Sequence, residues 1–60
     1  MKIKALRGKK GFRQEDLAKK LKVDRSAIAK WETGEAMPKS DKLPELARIL
    51  GCTIDELYGK

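Results

Sequence analysis

The sequence predicts an all-α fold of five short helices around one core. Apolar residues recur three and four positions apart, as Ile3/Leu6, Leu17/Leu21, Leu43/Leu46/Leu50 and Ile54/Leu57, and that spacing lines up one face of an α-helix. No stretch keeps the alternation of period two that a half-buried strand requires over its length. Gly11, Gly34 and Gly51 stand where three of the periodic segments stop, the place where a left-handed residue closes a helix.

The first helix is read from Met1 to Lys10, with Ile3 and Leu6 inward, Ala5 beside them and Gly11 at its end. Gly8 lies inside it, at a cost of about 1 kcal/mol relative to alanine. Phe12 then returns an aromatic ring to the core. The second helix runs from Gln14 to Leu21. It has Glu15 and Asp16 in its first turn and Lys19 and Lys20 in its last, the arrangement that the helix dipole favours. Leu17 and Leu21 face the core, and Ala18 is small enough for another helix to cross over it.

Only Lys22 and Val23 separate Leu21 from Asp24, so the third helix must cross the second sharply. Asp24 has the side-chain oxygen of an N-cap, and Gly34 ends the helix. At about 100° per residue, Arg25, Ser26, Ala29, Lys30 and Thr33 share roughly 140° of arc. Ala27, Ile28, Trp31 and Glu32 take the opposite side. This segment is built to pack on one face and meet something on the other.

Glu35 to Ser40 is a loop punctuated by Pro38. The fourth helix follows from about Lys42 to Leu50, capped by Asp41, with Pro44 in the first turn where its missing N–H costs little. Its inward stripe is Leu43, Leu46, Ala47, Ile49 and Leu50, and Gly51 ends it. Thr53 and Glu56 stand at capping-box spacing and start a last short helix, with Ile54 and Leu57 inward.

Sixty residues are read as a single domain, residues 1–60, whose core supplies only about 3–5 kcal/mol. That leaves no room for an enclosed active site. The net charge is +6 and is unevenly placed: residues 1–30 hold eleven Lys/Arg against three acids, and residues 31–60 four against six. A basic half of this kind points to a polyanion, either nucleic acid or an anionic membrane. The single cysteine, Cys52, is read as a small buried apolar residue rather than a reactive thiol, with nothing to suggest an oxidising compartment. No apolar run approaches the roughly 18 residues of a membrane span, which gives a cytoplasmic expectation. With no histidine, no metal-ligand spacing and no carboxylate pair in a pocket, the reading is a non-enzyme without metal, cofactor or small-molecule substrate.

Three segments, IKALRGKKGF, RQEDLAKKLKVDRSAIAKWETGE and LPELARILGCTIDELY, together resemble the phage repressor and Cro-type helix-turn-helix over nearly the whole chain. Each is weakly specific alone; their order and spacing are what identify the likeness. The resemblance implies a compact five-helix lambda-repressor-like DNA-binding domain, with the helix-turn-helix proper at about 14–33 and the third helix in the major groove. By position it assigns base contacts to Arg25, Ser26, Ala29 and Lys30. It assigns phosphate contacts to Arg13, Gln14, Thr33 and the loop through Lys39. Arg25 is the leading base reader, since a guanidinium pairs bidentately with guanine for about 1–3 kcal/mol of discrimination. Arg7 and Glu32 match an ion pair that joins the first and third helices, and Trp31 is read as core. Three positions depart from the family pattern. Arg13 stands where Ser or Thr commonly caps the second helix, Gly8 replaces a better helix former, and Lys22 stands where glycine is common. A strained, left-handed lysine is therefore expected at Lys22.

The function so implied is sequence-specific double-stranded DNA binding by a transcriptional regulator, a repressor, in the cytoplasm of a bacterial or phage-infected cell. A homodimer on a palindromic operator is expected, forming in solution or only on DNA, with Leu57 and Tyr58 as candidates for its contact. The competing reading is an interaction module that offers its acidic C-terminal half to a protein. Outward-facing Arg25 and Lys30 weigh toward DNA. Membrane binding is disfavoured, because no helix pairs a bulky apolar face with a basic one beyond what the core uses.

Overall fold

Five helices form along residues 1–59, the part of the chain that the computed structural model describes. They are α1 (Ile3–Lys10), α2 (Gln14–Leu21), α3 (Arg25–Thr33), α4 (Lys42–Leu50) and α5 (Ile54–Leu57). There is no strand among the described residues. Every helix sends at least one side chain into the centre: Ile3, Leu17, Leu21, Ile28, Leu46 and Leu57 are all at most 1% exposed. Each such side chain contributes about 1.5–3 kcal/mol relative to exposure. Ala18, Trp31, Ala47 and Leu50 complete the buried set.

Local chemistry ends the helices. Gly11 closes α1, Lys22 closes α2 and Gly51 closes α4, each in the left-handed conformation. In all three the next residue donates its N–H back to a carbonyl five positions earlier: Phe12 to Arg7, Val23 to Ala18, and Cys52 to Ala47. That is the double closure of a Schellman motif, which satisfies carbonyls the helix would leave open. Lys22 is the expected non-glycine in this role, at φ 59° and ψ 45°. The Lys42 ammonium of α4 donates to the Leu21 carbonyl at 3.3 Å, so the tight turn between α2 and α3 is held from within and from across the core.

Several expectations are corrected. Helix α1 begins at Ile3, because Lys2 lies outside helical dihedrals at φ −95° and ψ 28°; its N–H donates to the Leu57 carbonyl at 2.7 Å, and Ala5 is exposed. Asp41 already has helical dihedrals (φ −70°, ψ −18°) and its carboxylate makes no cap bond, since an N-cap needs extended backbone. Asp24 has the extended backbone of a cap but also makes no side-chain cap bond, and nothing in the structure explains why. At α5 the predicted capping box forms, with Thr53 and Glu56 exchanging bonds of 2.9 and 3.1 Å. Ile54 points outward, however, at 39% exposed, while Leu57 is fully buried. Leu57 is therefore core and free for no partner; the exposed large apolar side chains here are Ile54 in α5 and Tyr58 just after it.

Candidate nucleic-acid interface

Helix α3 is divided by burial. Ile28 is inaccessible and Trp31 nearly so, which fixes the helix against α1 and α2. On the opposite side Arg25, Ser26, Lys30 and Thr33 are exposed and Ala29 half-exposed. Together with Glu35 these residues line an open hollow of about 320 Å³. Its lining combines the small apolar Ala29 with the long basic side chains of Arg25 and Lys30.

A second cleft, of about 410 Å³, adjoins the first through Arg25 and is lined also by Arg7, Arg13, Gln14 and Glu15. Helix α2 begins here, bringing the positive end of its dipole to a cleft with three guanidinium groups on its walls, a setting that favours an anion. Arg13 cannot accept a hydrogen bond, so it caps nothing. Instead the Asp16 carboxylate accepts from the Arg13 backbone N–H at 2.9 Å, leaving the Arg13 guanidinium exposed and only loosely paired with Glu15 at 3.5 Å.

Three of the residues that line this cleft, Arg7, Gln14 and Arg25, belong to a relay of hydrogen bonds that runs through Glu32. Arg7 donates through Nε to Glu32 Oε2 at 2.7 Å and through Nη2 to Glu32 Oε1 at 3.3 Å. Its remaining amino group donates to the Phe12 carbonyl at 3.0 Å. Gln14 Nε2 donates to Glu32 Oε1 at 2.9 Å, and Gln14 Oε1 accepts from Arg25 Nη1 at 3.4 Å. The orientation of the Gln14 amide is dictated by its neighbours, because a carboxylate only accepts and a guanidinium only donates. Burial pushes the Glu32 carboxyl up, but the bonds from Arg7 and Gln14 and the charges of Arg7 and Lys4 outweigh it. The group is held below its ordinary value and stays ionised.

All the expected contact residues except Lys39 line one of these two connected depressions. Lys39 is exposed on the α3–α4 loop, which is anchored by the buried Pro38 beside it. Gln14 has a second task that the sequence did not announce, since its side-chain amide is engaged between Glu32 and Arg25. Glu35 was missed outright. Its signal lay in the turn after Gly34, which folds the chain back beside Lys30. Cys52 stands apart from the site and is half-buried rather than buried, at the edge of the core; partial burial pushes its thiol up, with the nearby Glu56 charge adding to the effect.

The family model described as "Helix-turn-helix" matches residues 3–57, which takes in all five helices. The chain belongs to the helix-turn-helix family. Within this family it is similar to the 26 kDa repressor protein of Escherichia phage HK022, at 51% identity over 47 residues, covering 78% of this chain and 20% of that protein. It is also similar to the HTH-type transcriptional activator BcrR of Enterococcus faecalis, at 43% identity over 56 residues, 93% of this chain and 28% of that one. The helix-turn-helix chain thus spans about a fifth to somewhat over a quarter of the length of these relatives. No solved structure matches it. Among the described residues no helix is long and apolar enough to cross a membrane, and no cluster of potential metal ligands occurs.

Proposed function

We propose that this chain is a sequence-specific double-stranded DNA-binding domain of a transcriptional regulator, with α3 in the major groove. The observation that carries the proposal is the exposed face of α3, where Arg25, Ser26, Ala29 and Lys30 stand free of the core beside an arginine-lined cleft at the start of α2. A helix with its N-terminal residues on base edges, and a neighbouring helix start on the backbone, is the way such motifs dock. Arg25 and Lys30 read acceptors on base edges, Ser26 donates or accepts, and Ala29 meets a thymine methyl. Arg13, the N-terminus of α2 at Gln14 and Lys39 hold phosphates on the two sides of the groove, and Thr33 joins them by turning its hydroxyl from the Lys30 carbonyl.

We read the protein as a repressor acting in the cytoplasm as a homodimer on a palindromic operator. The relative at 51% identity carries the name of a repressor, and the size of the domain leaves room for the pairing. Its Cα envelope is 26 Å in the longest direction. With side chains added, two copies fit side by side at the roughly 34 Å spacing of half-sites one helical turn apart.

Selection from random-sequence duplex DNA, followed by binding across a salt series, tests this. Affinity falls steeply with salt as phosphates are neutralised. Arg25→Ala relaxes the preference at one base position, whereas Arg13→Ala weakens all sequences alike and reduces the salt slope by about 0.9. The absence of an enriched motif, with an unchanged slope in Arg13→Ala, would refute it.

A further inference from the structure

We propose that Glu35 is a positioning residue for Lys30, and that it makes Lys30 a reader of base edges rather than a phosphate ligand. The inference rests on the DNA-binding reading and assigns a role to the one acidic side chain on the α3 hollow.

The backbone at the end of α3 differs from the other helix ends. Where α1, α2 and α4 close with a bond from the residue after the left-handed one, α3 does not. Gly34 is left-handed, at φ 83° and ψ 5°, but the Lys30 carbonyl accepts from Ala36 N–H at 3.3 Å, one residue later than the pattern requires. The extra residue is Glu35. Its own N–H turns instead to Thr33 Oγ1 at 3.4 Å, while the Thr33 hydroxyl donates to the Lys30 carbonyl at 3.1 Å. This looped-out residue carries its carboxylate to 4.0 Å from Lys30 Nζ, on the wall of the same hollow as Arg25, Ser26 and Ala29.

In the free domain the pair is worth little, because both side chains are more than half exposed, at 55% and 68%. A carboxylate on a surface that meets a polyanion is otherwise a pure loss. Its use lies in the docked state. Bases seated over the hollow exclude water, and the attraction between Glu35 and Lys30 strengthens as the local dielectric falls. Lys30 is then held over the hollow, away from the backbone, with donors to spare for an acceptor such as guanine O6 or N7. In a loosely hydrated complex on random DNA the pair stays weak, and Glu35 only repels phosphate. The same residue therefore lowers non-specific affinity and sharpens the specific complex.

The test compares wild type, Glu35→Gln, Lys30→Ala and the double variant on two probes, a random-sequence duplex pool and the pool enriched by selection on wild type. Glu35→Gln keeps the side chain's shape and leaves the backbone bonds of Glu35 and Ala36 in place, and Trp31 fluorescence verifies that it folds. It is expected to bind random duplex more tightly, with a salt slope steeper by about 0.9 as the freed Lys30 takes a phosphate. Discrimination between the two probes should fall roughly tenfold, the size of one base contact. In the Lys30→Ala background, Glu35→Gln should change neither slope nor discrimination. If it shifts both probes by one common factor, or acts equally without Lys30, Glu35 is a source of general repulsion and the proposal is overturned. If wild type binds no duplex at all, the DNA-binding reading itself fails and this inference falls with it.

Discussion

Removing Arg7 should unfold most of the domain, while removing its partner's charge should not. Glu32 is only 5% exposed at its side chain and Arg7 15%. In Arg7→Met the carboxylate stays buried with Gln14 Nε2 as its remaining side-chain donor, a situation that costs about 3–5 kcal/mol. A core of this size supplies about the same amount. In Glu32→Gln the guanidinium keeps its bond to the Phe12 carbonyl and has a path to water, so the loss is about 1–3 kcal/mol. The double variant Arg7→Met/Glu32→Leu replaces the pair by apolar groups and should recover stability to within about 1 kcal/mol of wild type. Urea unfolding followed by circular dichroism and Trp31 fluorescence measures all three. The recovered double variant should still read DNA poorly at the Arg25 position, because Gln14 has lost the acceptor that orients it. Single variants each costing under about 1 kcal/mol, with an additive double, would refute the reasoning.

Three further outcomes follow from the same structure. Because the Glu32 carboxyl is held below its ordinary value of 4.5, its contribution is complete above that value. It is lost as pH falls through the lower folded one, and Glu32→Gln should flatten that acid limb in urea midpoints taken across pH. Lys22→Gly should raise stability by about 1 kcal/mol in thermal melts, since a left-handed lysine at φ 59° costs more than the added freedom of glycine in the unfolded chain. Gly8→Ala should raise it by a similar amount, about 0.8–1.0 kcal/mol, because a methyl group there meets nothing within 4 Å.

What the sequence disclosed was whatever is encoded locally. The ends at Gly11, Gly34 and Gly51 were legible because the left-handed conformation is a property of the residue itself. The two faces of α3 were legible because nine residues are enough for a period of 3.6 to show. The side of Ile54 was not, since four residues give barely one turn from which to choose a face. Asp41 misled because residue type signals a cap while backbone dihedrals decide it. The Arg7–Glu32 contact came from resemblance alone, as no local rule couples residues 25 positions apart. The engagement of Gln14 depends on how α2 and α3 cross, and that of Glu35 on which N–H reaches the Lys30 carbonyl. The first is decided by tertiary packing, and the second by a local turn over residues 30–36 that residue type alone does not set.

The division of α3 bears on how binding preference can change over time. Ser26, Ala29 and Lys30 lie outside the hydrophobic core cluster, so on the proposed DNA-binding reading substitutions there rewrite the preferred sequence at little cost in stability. Lys30 has only its exposed partner Glu35 at 4.0 Å, whereas the Arg25 guanidinium rests on Gln14 Oε1. A replacement at that position inherits an acceptor already fixed in direction by Glu32. Side chains that donate, such as lysine or glutamine, fit the inherited partner, and a carboxylate there would face an oxygen it cannot bond. The first position of the helix is therefore the slowest of the four to drift, and relatives that diverge in target should differ there last.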